Sequence, residues 1–274
     1  MTVAADRLTQ AVRQQLGLGR LLPLGGAADG AWITEHAAVG ALRRAAAAAL
    51  PGVRLGTVRL ALAEPATAVP AAVPAPPSAL PAGPLRLTAD FAATVDEPLP
   101  TVAGRLRTAL WSAASEALGL DLDAVDLQAT ALLDGPEAVA GAGSGAAPED
   151  AAGAENTAGA EDAAGAEDAA GAEDTAGAED DGAVARAVRA VPGVARLAPV
   201  LGGTAHAVRI RDRTDEEPGR HAQVQIAVAE GRRALDVTTA VREAVAAATA
   251  DGAPGPVTVA VVVTAVDPAV SPAR

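Results

Sequence analysis

Apolar and polar positions along this chain fall twice into one order: helix, Pro-Gly-Val turn, two strands, helix, strand. In the first pass Val39, Leu42, Ala46 and Ala49 recur at helical spacing until Pro51 and Gly52 stop the run. Thr34 is placed to cap that helix, although Ala37 denies it the reciprocal partner of a capping box. Val58, Leu60 and Leu62 alternate with Arg59 and Ala61, the pattern of a half-buried strand. The clearest strand sets Leu85, Leu87, Ala89, Phe91, Ala93 and Val95 on one face and Arg86, Thr88, Asp90 and Thr94 on the other. Val102, Leu106, Ala109, Leu110, Ala113, Ala117 and Leu118 predict a second amphipathic helix closed by Gly119. Val125, Leu127, Ala129 and Ala131 predict a last strand, with Asp126, Gln128 and Thr130 outward.

The second pass is fainter. Val184, Ala187, Val188 and Val191 predict a short helix before Pro192-Gly193-Val194. His206, Val208 and Ile210 alternate with Arg209 and Arg211, and Asp212 to Arg220 reads as a charged turn. Val224, Ile226 and Val228 alternate with Gln223 and Gln225. Val237, Val241, Ala244, Val245 and Ala248 predict a helix ended by Asp251-Gly252, and Val257, Val259, Val261 and Val263 a closing strand.

This reading predicts an α+β protein of two small modules, each a three-stranded sheet with two helices on one face, joined by a disordered acidic linker. The expected organisation is an N-terminal extension over 1–30 with a short helix across 3–16, a first module over 31–134, a linker over 135–182, a second module over 183–267 and a tail over 268–274. The first module carries a Pro-rich loop over 63–84, with seven prolines that favour polyproline II. That loop is expected to be a solvated connection; docking into an aromatic groove is the alternative.

Five hexads of the form Glu-Asp-Ala-Ala-Gly-Ala run from Glu149 to Ala178. A six-residue period fits no helix, and without large apolar residues the segment cannot offset its ordering entropy. It reads as a spacer, or as an electrostatic tether to a basic partner. It also distorts the net charge of −13: without the 12 acids between Glu149 and Asp181, 22 acids face 21 arginines, a balance of −1. Neither module is therefore expected to bind nucleic acid, which needs a strongly basic face.

Half of the chain is hydrophobic, yet alanine inflates that fraction, and the aromatics are Trp32, Phe91 and Trp111 alone. The cores must be built from Val, Leu and Ile, each worth about 1.5–3 kcal/mol when fully buried. Lys, Cys and Tyr are absent and every base is Arg, a bias that points to the GC-rich coding of a high-GC bacterium. No Schiff-base lysine, thiol nucleophile, disulfide or cysteine zinc site can exist. No signal peptide and no membrane-length apolar run is visible, which predicts a cytoplasmic chain without a transmembrane segment of its own.

Candidate chemistry is sparse. Glu35-His36 lacks the second histidine of a zincin motif, and His36 reads as an exposed helix residue. His206 and His221 could meet if their strands pair and, with Asp212 or Glu216, hold a metal; a packed or edge histidine is the plainer reading. Asp121, Asp123 and Asp126 lack the Gly and closing Glu of a calcium loop and read as solvated turn charges. No catalytic, cofactor-binding or metal-ligating residue is assigned, and no cofactor is expected. Trp32 and Trp111 read first as core residues and are the anchors to expect if an interface uses aromatics; Arg186 with Arg189 forms a basic helix face, read first as solvated, with contact to anionic lipid as the alternative.

Gly52-Val53 after the first helix, the Leu85–Val95 strand, Gly119-Leu120 after the second helix and Val125-Asp126-Leu127 opening the last strand carry a resemblance. Over about 100 residues the first half resembles the alkaline shock, or envelope stress response, protein family of Gram-positive bacteria. The second half is similar as a degenerate copy, keeping Gly193-Val194 but carrying Asp251-Gly252 in place of the Gly-Leu step. The Pro-rich insertion, and Glu97-Pro98-Leu99-Pro100 before the second helix, depart from the family pattern. The chain also resembles those of high-GC bacteria grouped as nucleopolyhedrovirus P-ten family protein, a name that conveys no mechanism. The resemblance implies a non-enzymatic, oligomer-forming scaffold or adaptor held near the membrane by a small membrane protein. Self-association is expected through sheet faces or through the edge strands Val58–Leu62 and Val257–Val263. The alternatives are a small-molecule or metal-dependent enzyme using a cleft between modules, and a peripheral lipid-binding protein.

Overall fold

The computed structural model describes residues 19–133, 177–198, 206–214 and 217–268. The short helix expected across 3–16 and most of the acidic linker lie outside them. The described residues form a mixed α+β structure with two sheets and four helices. In chain order these are β1 (Leu21–Pro23), β2 (Ala31–Thr34), α1 (Glu35–Ala49), β3 (Val53–Leu62), β4 (Leu85–Thr94), α2 (Leu99–Ser112), β5 (Leu122–Leu133), α3 (Gly177–Ala190), β6 (Val194–Leu197), β7 (Val208–Arg213), β8 (Gly219–Ala229), α4 (Ala234–Ala248) and β9 (Val257–Asp267).

The first pass folds as its pattern requires. Thr34 caps α1, its hydroxyl accepting from the Ala37 amide at 3.2 Å. β3 and β4 pair antiparallel, and α2 carries the chain back so that β5 pairs parallel to β4. Val102, Leu106 and Leu110 bury one stripe of α2. The helix then widens into a π turn over Ala113–Leu118, which Gly119 closes at φ +86°. Only a residue without Cβ adopts that left-handed φ cheaply.

The second pass repeats the topology but not the strand count, and here the expectation is corrected. Its sheet has six strands rather than three. β8 is central, with β9 parallel on one side and β6 and β7 antiparallel along the other. β2 then pairs parallel to β9, with Trp32 opposite Val262, and β1 extends the sheet beyond β2. The closing strand, expected to be an edge, thus runs between two neighbours. Val259 to Thr264 are all buried, as a parallel strand covered on both faces must be. α3 begins at Gly177, within the stretch read as linker.

Both sheets turn their apolar faces to one shared core. It runs from Leu60, Leu85, Leu87 and Phe91 through Leu42, Leu106 and Leu110 to Val224, Ile226, Val241, Val261 and Val263. α1 packs against both β3 and β9, and small side chains on its buried stripe (Ala37, Ala38 and Ala46) allow that close approach. The other face of the six-stranded sheet is covered by the Pro-rich loop. Val73, Ala71 and Ala79 lie against Leu21, Trp32, Ala260 and Val262. Backbone bonds fix the loop there: Ser78 O and Leu21 N at 3.2 Å, Leu21 O and Leu80 N at 2.8 Å, Ala27 O and Ala72 N at 2.9 Å. The loop is therefore not a solvated connection. It docks on an aromatic of its own chain.

Candidate functional site

The two tryptophans have opposite fates. Trp32 is 2% exposed beneath the Pro-rich loop, and its indole N–H donates to Leu80 O at 3.4 Å. Trp111, on α2, is 40% exposed. Arg186 and Arg189 are exposed on α3, on the side away from the buried Val184 and Val188.

The sheet edges differ in how they are guarded. On β1 the Pro-rich loop bonds the edge directly. On β3, Arg43 donates to Gly56 O at 2.7 Å, Arg20 to Leu60 O at 2.7 Å, and the Glu35 carboxylate accepts from Leu60 N at 3.4 Å. Side chains there occupy the groups that another strand would need. On β5, Arg107 donates to Val125 O at 3.1 Å. Strand groups two residues apart point alike, so the amides and carbonyls of Leu127 and Ala129 face outward as Val125 does. No other side chain among the described residues caps that edge. Gln128, Ala129, Thr130, Ala131 and Leu132 are all exposed, Leu132 at 57%, and Val95 beside the strand's end is 66% exposed. Because α2 runs antiparallel to β5, Trp111 flanks the opposite, first half of the strand.

The histidines do not converge. His206 is exposed and precedes β7, whereas His221 stands opposite Arg211 in the β7–β8 ladder. Five strand positions separate the two levels, about 16 Å at strand rise. Asp212 is engaged by Arg220 through two bonds of 2.7 Å. The metal arrangement raised from the sequence is therefore not assembled: Glu216 lies outside the described residues, and no group of three or more metal-ligating side chains converges among the described ones.

His221 belongs to a different constellation. Arg211, His221 and Thr258 form one row across β7, β8 and β9, on the face that the Pro-rich loop partly covers. Arg213 follows Arg211 on the same face, and its ladder partner is Gly219, which carries no side chain. Ala72 and Pro74 of the loop, with Pro218 and Pro256, wall a cleft of about 790 Å³ over this row, and Glu217 stands at its side. One wall thus comes from the first pass and the floor from the second. His221 Nδ1 lies 2.9 Å from the Thr258 hydroxyl, and that hydroxyl donates to Arg220 O at 3.2 Å. Thr258 has one proton to give, so Nδ1 is the donor to it and Nε2 is the acceptor nitrogen of the neutral ring. Burial, then Arg211 and Arg213, push the His221 pKa below its ordinary value. The sequence pattern hid this row because alternation assigned Arg209, Arg211 and Gln223 to a polar outer face, and nothing local marks which outer face a distant loop will cover.

Compared with known proteins, the chain matches no protein-family model, no curated protein and no solved structure. Among the described residues no helix is long and apolar enough to cross a membrane.

Proposed function

We propose that the chain is a non-enzymatic scaffold or adaptor, and that a partner polypeptide adds a strand to the outer edge of β5. The observation that carries this reading is the contrast between edges: β1 and β3 are blocked by loop and side chains, while among the described residues Arg107 alone meets the β5 edge, at Val125. Strand addition takes its affinity from main-chain bonds and its selectivity from flanking side chains. Trp111 at one end, and Leu132 and Val95 at the other, supply apolar flanks. The resemblance to envelope stress proteins agrees with an associating protein held near the membrane by a small membrane partner.

The test is purification of the tagged full-length chain from gently solubilised native cells, beside an Ala129→Pro variant. Ala129 turns its N–H away from β4, so proline there removes an outer donor without breaking a ladder bond. Stoichiometric recovery of a small integral membrane protein with wild type, lost in the variant while its circular dichroism stays unchanged, is the expected result. Recovery of wild type alone, without a partner or a second copy of itself, refutes the proposal.

A further inference from the structure

We propose that the cleft between the Pro-rich loop and the β7–β8–β9 row binds an organic phosphate monoester, held through Arg211 and Arg213 with its carbon body against the proline walls. Three observations converge on that class of ligand. First, Arg211 and Arg213 sit two residues apart on one strand face, about 7 Å between Cα atoms, a spacing from which two guanidinium forks reach one group. Guanidinium pairs suit phosphate because each fork donates two parallel bonds to its oxygens. Two such charges match the −1.5 to −2 that a phosphate monoester carries near neutrality, with about two units at the upper end. Arg220, although it lines the same cleft, is committed to Asp212, so the pair falls to Arg211 and Arg213.

Second, the walls are apolar where the floor is cationic. Ala72, Pro74, Pro218 and Pro256 present carbon surface and no charge, and the volume lies in the range of small-molecule pockets. An inorganic ion would leave those walls unused. Third, His221 is set up as a neutral reader. Its Nδ1 is tied to Thr258, which leaves Nε2 to accept from a hydroxyl or a protonated phosphate oxygen, and burial, then the adjacent arginines, disfavour its charged form without a ligand. A bound dianion offsets those two charges. The groups around the imidazole are then Arg211 and Arg213 on β7, Thr258 on β9, Glu217 beside the cleft and the Asp212–Arg220 pair.

Proton NMR of the full-length chain tests this, since it has three histidines, whose ring signals single-histidine variants assign. Phenyl phosphate is expected to move the His221 signal saturably, to raise its pKa, and to bind more tightly than inorganic phosphate. The Arg211→Gln/Arg213→Gln double variant is expected to weaken phenyl phosphate by about tenfold or more, the loss of at least one charge-assisted bond. The Arg186→Gln/Arg189→Gln variant, which removes two exposed arginines elsewhere, is expected to bind as wild type does. Absence of saturation, equal binding of the two phosphates, or equal loss in both arginine variants each overturns the proposal. Its outcome is independent of whether β5 recruits a strand.

Discussion

Arg220 and His221 are neighbours in sequence with opposite relations to charge. Arg220 is 7% exposed, and its guanidinium is held by the Asp212 carboxylate and by Thr249 O at 3.1 Å. The Asp212 pKa is lowered chiefly by its hydrogen bonds from Arg220, against a desolvation that raises it. Its contribution to stability is therefore present above the ordinary carboxylate pKa and is lost as pH falls through the depressed one. Asp212→Asn is expected to cost about 2 kcal/mol at neutral pH, by weakening the pairing of a buried cation. Urea denaturation measures this, and the gap from wild type should shrink in strong acid, where Asp212 is itself protonated. His221 acts in a separate window. Its folded pKa lies below the unfolded value of about 6.5, so under acidic conditions the unfolded chain takes up a proton that the folded chain refuses. The urea midpoint should decline as pH falls through about 6.5, and His221→Gln should flatten that part of the curve.

At the scale of elements, Gly119 joins the passes. It closes the π turn at φ +86°, and a Cβ there would collide with the Leu235 side chain at the start of α4. Gly119→Ala is expected to cost about 3 kcal/mol, from left-handed strain and overpacking together. Gly231→Ala supplies the control: φ is +87° but the space around it is open, so the cost should be about 1 kcal/mol. Equal losses in thermal or urea unfolding would mean that the Gly119–Leu235 contact contributes nothing. The cap itself was legible in the sequence, because a glycine after an amphipathic run reads as a helix stop. So were α1, α2, α4 and the alternation of β4, where local period and tertiary burial agree. The π turn was not, since Ala113 and Ala117 fit ordinary helical spacing. β2 was missed for a different reason: four residues from Ala31 to the helix cap Thr34 carry no period, and their partner strand lies some 230 positions away. That omission turned β9 into an expected edge, and with β1 and β6 also unread the six-stranded sheet was expected as three strands. Among the site residues, the alternation identified Arg211 as outward but could not place Ala72 and Pro74 above it.

Over the whole molecule, the two passes are stitched at several points that cross the sequence midpoint. β2 lies in the sheet of the second pass, α1 packs on both sheets, Arg44 bonds Glu230 at 3.2 Å and Val266 O at 2.9 Å, and Arg233 donates to Ser115 O at 3.2 Å. One continuous core predicts one cooperative transition rather than two. The two tryptophans are placed to test this, because Trp32 reports the six-stranded sheet and Trp111 reports α2 over the three-stranded one. Trp111→Phe leaves Trp32 as the sole indole, and Trp32→Phe leaves Trp111. In each variant the fluorescence transition in urea should coincide with loss of the far-ultraviolet circular dichroism, whatever the absolute midpoint of that variant. Trp32→Phe is expected to lower the midpoint more, since it truncates a buried side chain where Trp111→Phe changes a partly exposed one. The decisive quantity is coincidence within each variant. If Trp32 emission changes before the dichroism does, the Pro-rich loop and β1–β2 leave the sheet as a separate unit. The cleft above Arg211 and His221 would then lose its wall before the rest of the molecule unfolds.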